Sequence, residues 1–114
     1  MSDHRHWVRV TACESIPLRE GRAVSLGGRE IAIFNLGDRF LATDNECPHQ
    51  GGPLCDGIVA GDSVVCPLHA WKVRLDTGEV ERPSQRQRCV TTYPTRIEGG
   101  IVLLGLPEST TGAA

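Results

Sequence analysis

Apolar residues fall along this chain in short strand-like runs joined by glycine turns. Trp7–Thr11 alternates Val8 and Val10 with polar neighbours, the period of a half-buried strand. Ala12–Pro17 has room for a single helical turn. Ala23–Leu26 and Arg29–Leu36 flank Gly27-Gly28, a two-residue hairpin signal, and Gly37-Asp38 turns the chain into a strand over Arg39–Thr43. Further on, Trp71–Leu75 and Glu79–Glu81 flank Asp76-Thr77-Gly78, and Val90–Glu98 and Ile101–Leu106 flank Gly99-Gly100. No window carries a long helical period. The pattern predicts an all-β domain of many short antiparallel strands. Pro107–Ala114 is a Ser, Thr, Gly and Ala tail, expected to be disordered.

Length and composition narrow this further. At 114 residues the chain makes one domain, with a modest core and no room for a second. Hydrophobic residues at 39% against 23% charged favour folding over disorder. A net charge of −2 and 4% aromatics give no basic face and few rings for base stacking, so nucleic acid is not an expected partner. The segment Met1–His6 is polar and charged with no apolar run behind it. No signal peptide, twin-Arg signal or membrane anchor is read there, and a cytoplasmic, membrane-free protein is expected. His4 and His6 are expected to precede the first strand in a fraying segment and to bind no metal.

The chemistry is concentrated between Cys47 and His69. Cys47-Pro48-His49-Gln50-Gly51-Gly52-Pro53 and Cys66-Pro67-Leu68-His69 each offer one thiolate and one imidazole at close spacing, with sixteen residues between His49 and Cys66. Cys and His suit soft and borderline metals, and the surrounding Pro and Gly suit tight loops that turn backbone N–H groups inward. Zinc sites usually take like ligands from each hairpin. The mixed order Cys-x-His and Cys-x-x-His instead suits two irons, each loop giving its Cys to one and its His to the other. A zinc site, or a loop pair with no metal, is the competing reading. Two of the five cysteines belong to this motif. Cys13, Cys55 and Cys89 show no pairing pattern, so free thiols in a reducing compartment are expected rather than a disulfide framework.

On these residues the chain resembles a Rieske iron–sulfur protein. The resemblance implies a base of antiparallel strands, a sandwich or barrel, built from about residues 5–43 and 83–107. A small cluster-binding subdomain over about 44–82 and a tail at 108–114 complete it. It implies one Rieske-type 2Fe-2S cluster, with Cys47 and Cys66 on the inner iron and His49 and His69 on the outer one, and electrons passing through the histidines. Loop amides in Gln50–Gly52 and Pro67–Ala70 would donate to the sulfurs and favour the extra negative charge of the reduced state. High-potential members carry a disulfide between the loops, and a Ser and a Tyr two and four residues after the second His. Here Pro67-Leu68 offers no Cys to pair, and those two positions are Trp71 and Val73. A potential near the low end of the range of roughly −150 to +300 mV is therefore expected.

Finer likeness runs through Cys47–Leu54, Asp56–Val59, Cys66–Val73, Thr77–Val80 and Cys89-Val90-Thr91-Thr92-Tyr93-Pro94. Together these are similar to the small subunit of assimilatory NAD(P)H-dependent nitrite reductase, whose large subunit carries flavin, a further iron–sulfur cluster and siroheme. The implied role is electron transfer to that subunit. Alternatives are a ferredoxin passing electrons from a flavoprotein reductase to the terminal oxygenase of an aromatic-ring dioxygenase system, and a non-redox accessory module stapled by the cluster. No nucleophile and base pair is visible, and no catalytic residue is assigned. Cys55, Cys89 and Trp71 read as packing residues. Asp44, Glu46, Asp56 and Asp62 read as solvated turn residues that could rim a docking face, and Arg82, Arg86 and Arg88 as a solvated loop.

Overall fold

The computed structural model describes residues 5–46, 53–67, 71–82 and 90–107. Eleven strands and two 3-10 turns are found there, with no α-helix among the described residues. No described helix is long and apolar enough to cross a membrane.

The organising element is β3 (Arg29–Asn35), whose centre is the continuous apolar run Ile31-Ala32-Ile33-Phe34, fully buried. Because side chains alternate along a strand, this run feeds two cores rather than one. Ile31 and Ile33 pack with Ile16, Ala42, Tyr93, Val102 and Leu104. Ala32 and Phe34 face the other way, into a cluster with Leu54, Val64, Cys66, Val73, Leu75, Val80 and Val90.

Three antiparallel sheets surround these cores. In the first, β1 (Arg5–Ala12) pairs with β11 (Ile101–Pro107), and β11 with β10 (Thr95–Glu98). In the second, the order is β2 (Gly21–Leu26), β3, β4 (Phe40–Asp44) and β9 (Thr92–Tyr93). The third runs β5 (Ile58–Ala60), β6 (Ser63–Val65), β7 (Lys72–Arg74) and β8 (Val80–Arg82). Arg39 and Asp62 form an ion pair at 2.6 Å between the β3–β4 turn and the β5–β6 turn.

Several expectations hold and several are corrected. The Gly27-Gly28 hairpin is present, both residues at positive φ (56° and 81°), as a two-residue turn of the twist-compatible type requires. The helical turn is Cys13–Ser15. The run Val90–Glu98 is not one strand. It breaks at Pro94, which has no N–H for the ladder, and the chain changes sheets there from β9 to β10. The hairpin β5–β6 was not expected, although Gly61-Asp62 between Ile58-Val59-Ala60 and Ser63-Val64-Val65 marks it. His6 does not precede the first strand, since β1 begins at Arg5 and His6 pairs with Leu106. Pro107 closes β11 rather than opening a tail, and Arg82 ends β8 rather than lying in a loop. His4, Arg86, Arg88, Cys89 and 108–114 lie outside the described residues.

Asp44 is also not a solvated turn residue. It ends β4 and accepts a hydrogen bond from the Tyr93 hydroxyl, which itself accepts one from Arg29 Nη1 at 2.8 Å. Asp62 does lie in a turn with its side chain 45% exposed, as expected, and pairs there with Arg39. Burial, and next the hydrogen bond to Asp44, push the Tyr93 hydroxyl above its ordinary pKa of 10.0.

Two predictions test this frame. Gly28 and Gly78 share nearly the same φ (81° and 82°), but a Cβ on Gly28 meets nothing within 4 Å whereas one on Gly78 lies 2.2 Å from the Val90 carbonyl oxygen. Gly28→Ala should cost only left-handed strain, roughly 1–2 kcal/mol. Gly78→Ala should cost a further roughly 1–3 kcal/mol, read as a lower thermal midpoint. The second concerns alkaline pH. The unfolded chain releases the Tyr93 proton near 10 and the folded chain only above it, so this group's contribution is intact below that pH and is lost as pH rises through the folded value. Tyr93→Phe should remove that part of the alkaline loss. As Tyr93 is the single tyrosine, phenolate absorbance reads its midpoint directly, and a value at or below 10 would refute the account.

Candidate metal centre

Of the four expected ligands, Cys66 is the one within the described residues; Cys47, His49 and His69 lie outside them. Cys66 follows β6, is 2% exposed, and its N–H donates to the Trp71 carbonyl at 2.7 Å. That bond joins the two described flanks of 68–70. A β-bridge between Glu46 and Pro53 does the same across 47–52, reinforced by Leu54 N–H to the Asn45 carbonyl at 2.8 Å. Around 83–89, the Val90 N–H donates to the Gly78 carbonyl at 2.8 Å.

Leu54, Cys66, Val80 and Val90, which flank these three segments, belong to the same buried cluster, and Trp71 packs against it. The short strands of the third sheet and the far face of β3 therefore bring the ends of all three segments to one apolar floor. Trp71 and Cys55 do pack there, as expected. Burial, then the nearby Asp56 charge, push the Cys55 thiol up, which keeps it a protonated filler rather than a nucleophile. Cys13 packs against the other core, and neither Cys13 nor Cys55 is in a disulfide. Val73 is fully buried, so the position that carries a donor hydroxyl in high-potential members is here core hydrocarbon.

Sequence reasoning missed Asn45. It is 4% exposed, and its side-chain amide bridges Glu30 Oε1 at 3.2 Å and the Cys55 N–H at 2.8 Å. Beside it lies a polar cleft of about 480 Å³ lined by Gly28, Arg29, Glu30, Asp44 and Glu46. On the outer face of the third sheet, Glu81 accepts from Ser63 Oγ at 2.7 Å and pairs with Lys72 and Arg74 at 3.9 and 3.6 Å. Among the described residues no group of three or more His, Cys, Asp or Glu gathers as a metal site elsewhere.

The donor set fits an iron–sulfur cluster better than a lone zinc ion. It pairs each thiol with an imidazole, and the described thiol sits on an apolar floor that excludes water, a surrounding that tunes cluster potential. Comparison with known proteins agrees. Residues 6–94 match the Rieske [2Fe-2S] domain family. The 3-phenylpropionate/cinnamic acid dioxygenase ferredoxin subunit of Escherichia coli K12 is 35% identical over 103 residues, 89% of this chain and 96% of that one. A Mycobacterium tuberculosis structure assigned as an NADH-dependent nitrite reductase small subunit superposes with a TM-score of 0.82 at 26% identity, over 91% of this chain and 97% of that one. The ferredoxin of Sphingomonas yanoikuyae B1 gives 0.80 at 29%, over 90% and 100%. The chain belongs to the Rieske family, and is an all-β electron-transfer domain that takes a Rieske-type 2Fe-2S cluster.

Proposed function

We propose that Cys47 and Cys66 hold one iron and His49 and His69 the other, within a cluster-binding subdomain over about 44–82 set on a base of about 5–43 and 83–107. The cluster supplies a one-electron couple. The protein's part is to bind it, shield the thiolates and offer N–H donors. Two thiolates leave the oxidised centre near neutral, so the reduced state carries an added negative charge that donors stabilise. Val73 offers no hydroxyl there, which supports a potential toward the low end of the Rieske range.

The chain's role, on this reading, is to carry single electrons in the cytoplasm as the small subunit of an NAD(P)H-dependent nitrite reductase, delivering to or supporting a large flavin and siroheme subunit. The observation carrying it is the 0.82 superposition on the Mycobacterium tuberculosis protein together with the Cys66–Val73 and Cys89–Pro94 stretches. The 35% identity to a dioxygenase ferredoxin subunit favours a second reading, delivery to a terminal oxygenase. No substrate-binding residue is assigned under either.

Anaerobically reduced protein should show a Rieske-type paramagnetic resonance signal with two irons per chain. One zinc per chain and no signal would reject the ligand assignment. His69→Cys should keep a cluster but draw its potential toward the roughly −400 mV of all-cysteine plant-type centres, measured by spectroelectrochemistry. Mixed with each candidate partner, the reduced chain should be reoxidised by the siroheme subunit in the presence of nitrite. Reoxidation by a terminal oxygenase alone would move the assignment to the ferredoxin reading.

A further inference from the structure

Asn45 has all four of its polar atoms engaged. Its N–H donates to the Glu30 carbonyl at 2.9 Å and its carbonyl accepts from Leu54 N–H at 2.8 Å. Its Oδ1 accepts from the Cys55 N–H, which can only donate, so its Nδ2 faces the Glu30 carboxylate, which can only accept. Glu30 lies in β3, while Leu54 and Cys55 begin the 3-10 turn Leu54–Asp56 that follows segment 47–52. The two backbone bonds extend the β3–β4 register and the Glu46–Pro53 bridge by one position each, whereas the side-chain bonds to Glu30 and Cys55 are made by no regular pairing. One buried side chain therefore fastens both necks of that segment to the central strand. Leu54, held by the Asn45 carbonyl, is fully buried in the cluster that contains Cys66. Asn45 is thus linked through one residue to the second half of the motif as well.

We propose that Asn45 is a positioning residue for the cluster, its amide tying Glu30 to Cys55 and so holding together the described ends, Glu46 and Pro53, of the segment that carries Cys47 and His49. This rests on the assignment of Cys47 and His49 as ligands. A buried amide between a fixed donor and a carboxylate has one satisfying orientation, which makes the tie rigid in a way that a solvated turn is not.

A reversal of donor and acceptor tests it. Asn45→Asp keeps the acceptor for Cys55 but sets two carboxylates against each other; Glu30→Gln keeps an acceptor for the Asn45 amide. The double change N45D/E30Q restores the bond with its polarity reversed. On holoprotein, two readouts are taken: the rate of cluster loss to an iron chelator, and the paramagnetic resonance signal of the reduced centre. Asn45→Asp should speed loss by about tenfold, the factor for one part-buried charge-assisted hydrogen bond, and shift the signal. Glu30→Gln should stay within about twofold and the double variant within about threefold of the parent, both with the parent signal.

The double variant keeps the new negative charge at position 45. Restoration therefore assigns the effect to the hydrogen bond, and a double variant that behaves like Asn45→Asp alone overturns the proposal. So does an Asn45→Asp protein with parent signal and parent loss rate. Should Asn45→Asp take up no cluster, uptake by the double variant supports the proposal and failure of both overturns it. A parent protein without a Rieske-type signal overturns the ligand assignment and this inference together, an outcome distinct from the others.

Discussion

Everything in this domain depends on a strand that is buried on both faces. Ile31-Ala32-Ile33-Phe34 has no polar side, so β3 is stable only when both of its surfaces are covered. The Ile31 and Ile33 face gathers β4, β9 and β11 into one core. The Ala32 and Phe34 face gathers the third sheet and the residues beside the motif, which makes the floor of the metal centre. A slip of one residue in the register of β3 would exchange these two faces and place the small Ala32 and large Phe34 where two isoleucines now fit. The packing of both core clusters, one of which contains Cys66, is consequently set by the same four side chains.

Close packing sharpens the dependence. Gly21 opens β2 with no room for a Cβ, which would lie 2.7 Å from the Phe34 ring and 3.1 Å from the Cys55 carbonyl. Gly57 is as confined against the Val65 carbonyl, at 2.4 Å. These approaches press the 3-10 turn after the first half of the motif onto β3 and β6. A core at this density transmits displacement rather than absorbing it, so the described ends beside the motif are held by residues outside it.

Much of the frame was legible because its signals are local. Gly27-Gly28 and Gly99-Gly100 each sit between strand-like runs, and both turn as two-residue hairpins with positive φ throughout. The ligand candidates were legible for the same reason, as short clusters of uncommon residue types. What escaped is non-local or brief. The β5–β6 hairpin has three residues a side, too few for alternation to register. Pro94 reads as an interruption, but only the pairing of β10 with β11 shows that it marks a change of sheet. Asp44 looked like a turn acid because its partner Tyr93 is 49 positions away, and the Arg29 that donates to that hydroxyl is 64 positions from it. Asn45 was passed over in the same way, since Glu30 and Cys55 give it meaning only once β3 and the 3-10 turn are in contact.

The same architecture explains why fold alone does not choose the partner. A one-electron carrier changes its charge by one unit and gains from a frame that moves little when it does. Two-sided burial of β3 and stitched loop necks give such a frame whichever protein delivers or takes the electron. Partner choice must therefore reside in what the frame leaves at the surface. Glu46, Asp56 and the 72% exposed Ile58 all flank the first half of the motif or the turn behind it, and none contributes to either core. A surface of that kind can change without disturbing the frame, in keeping with a protein assigned as a nitrite reductase small subunit and a ferredoxin superposing on this chain almost equally well.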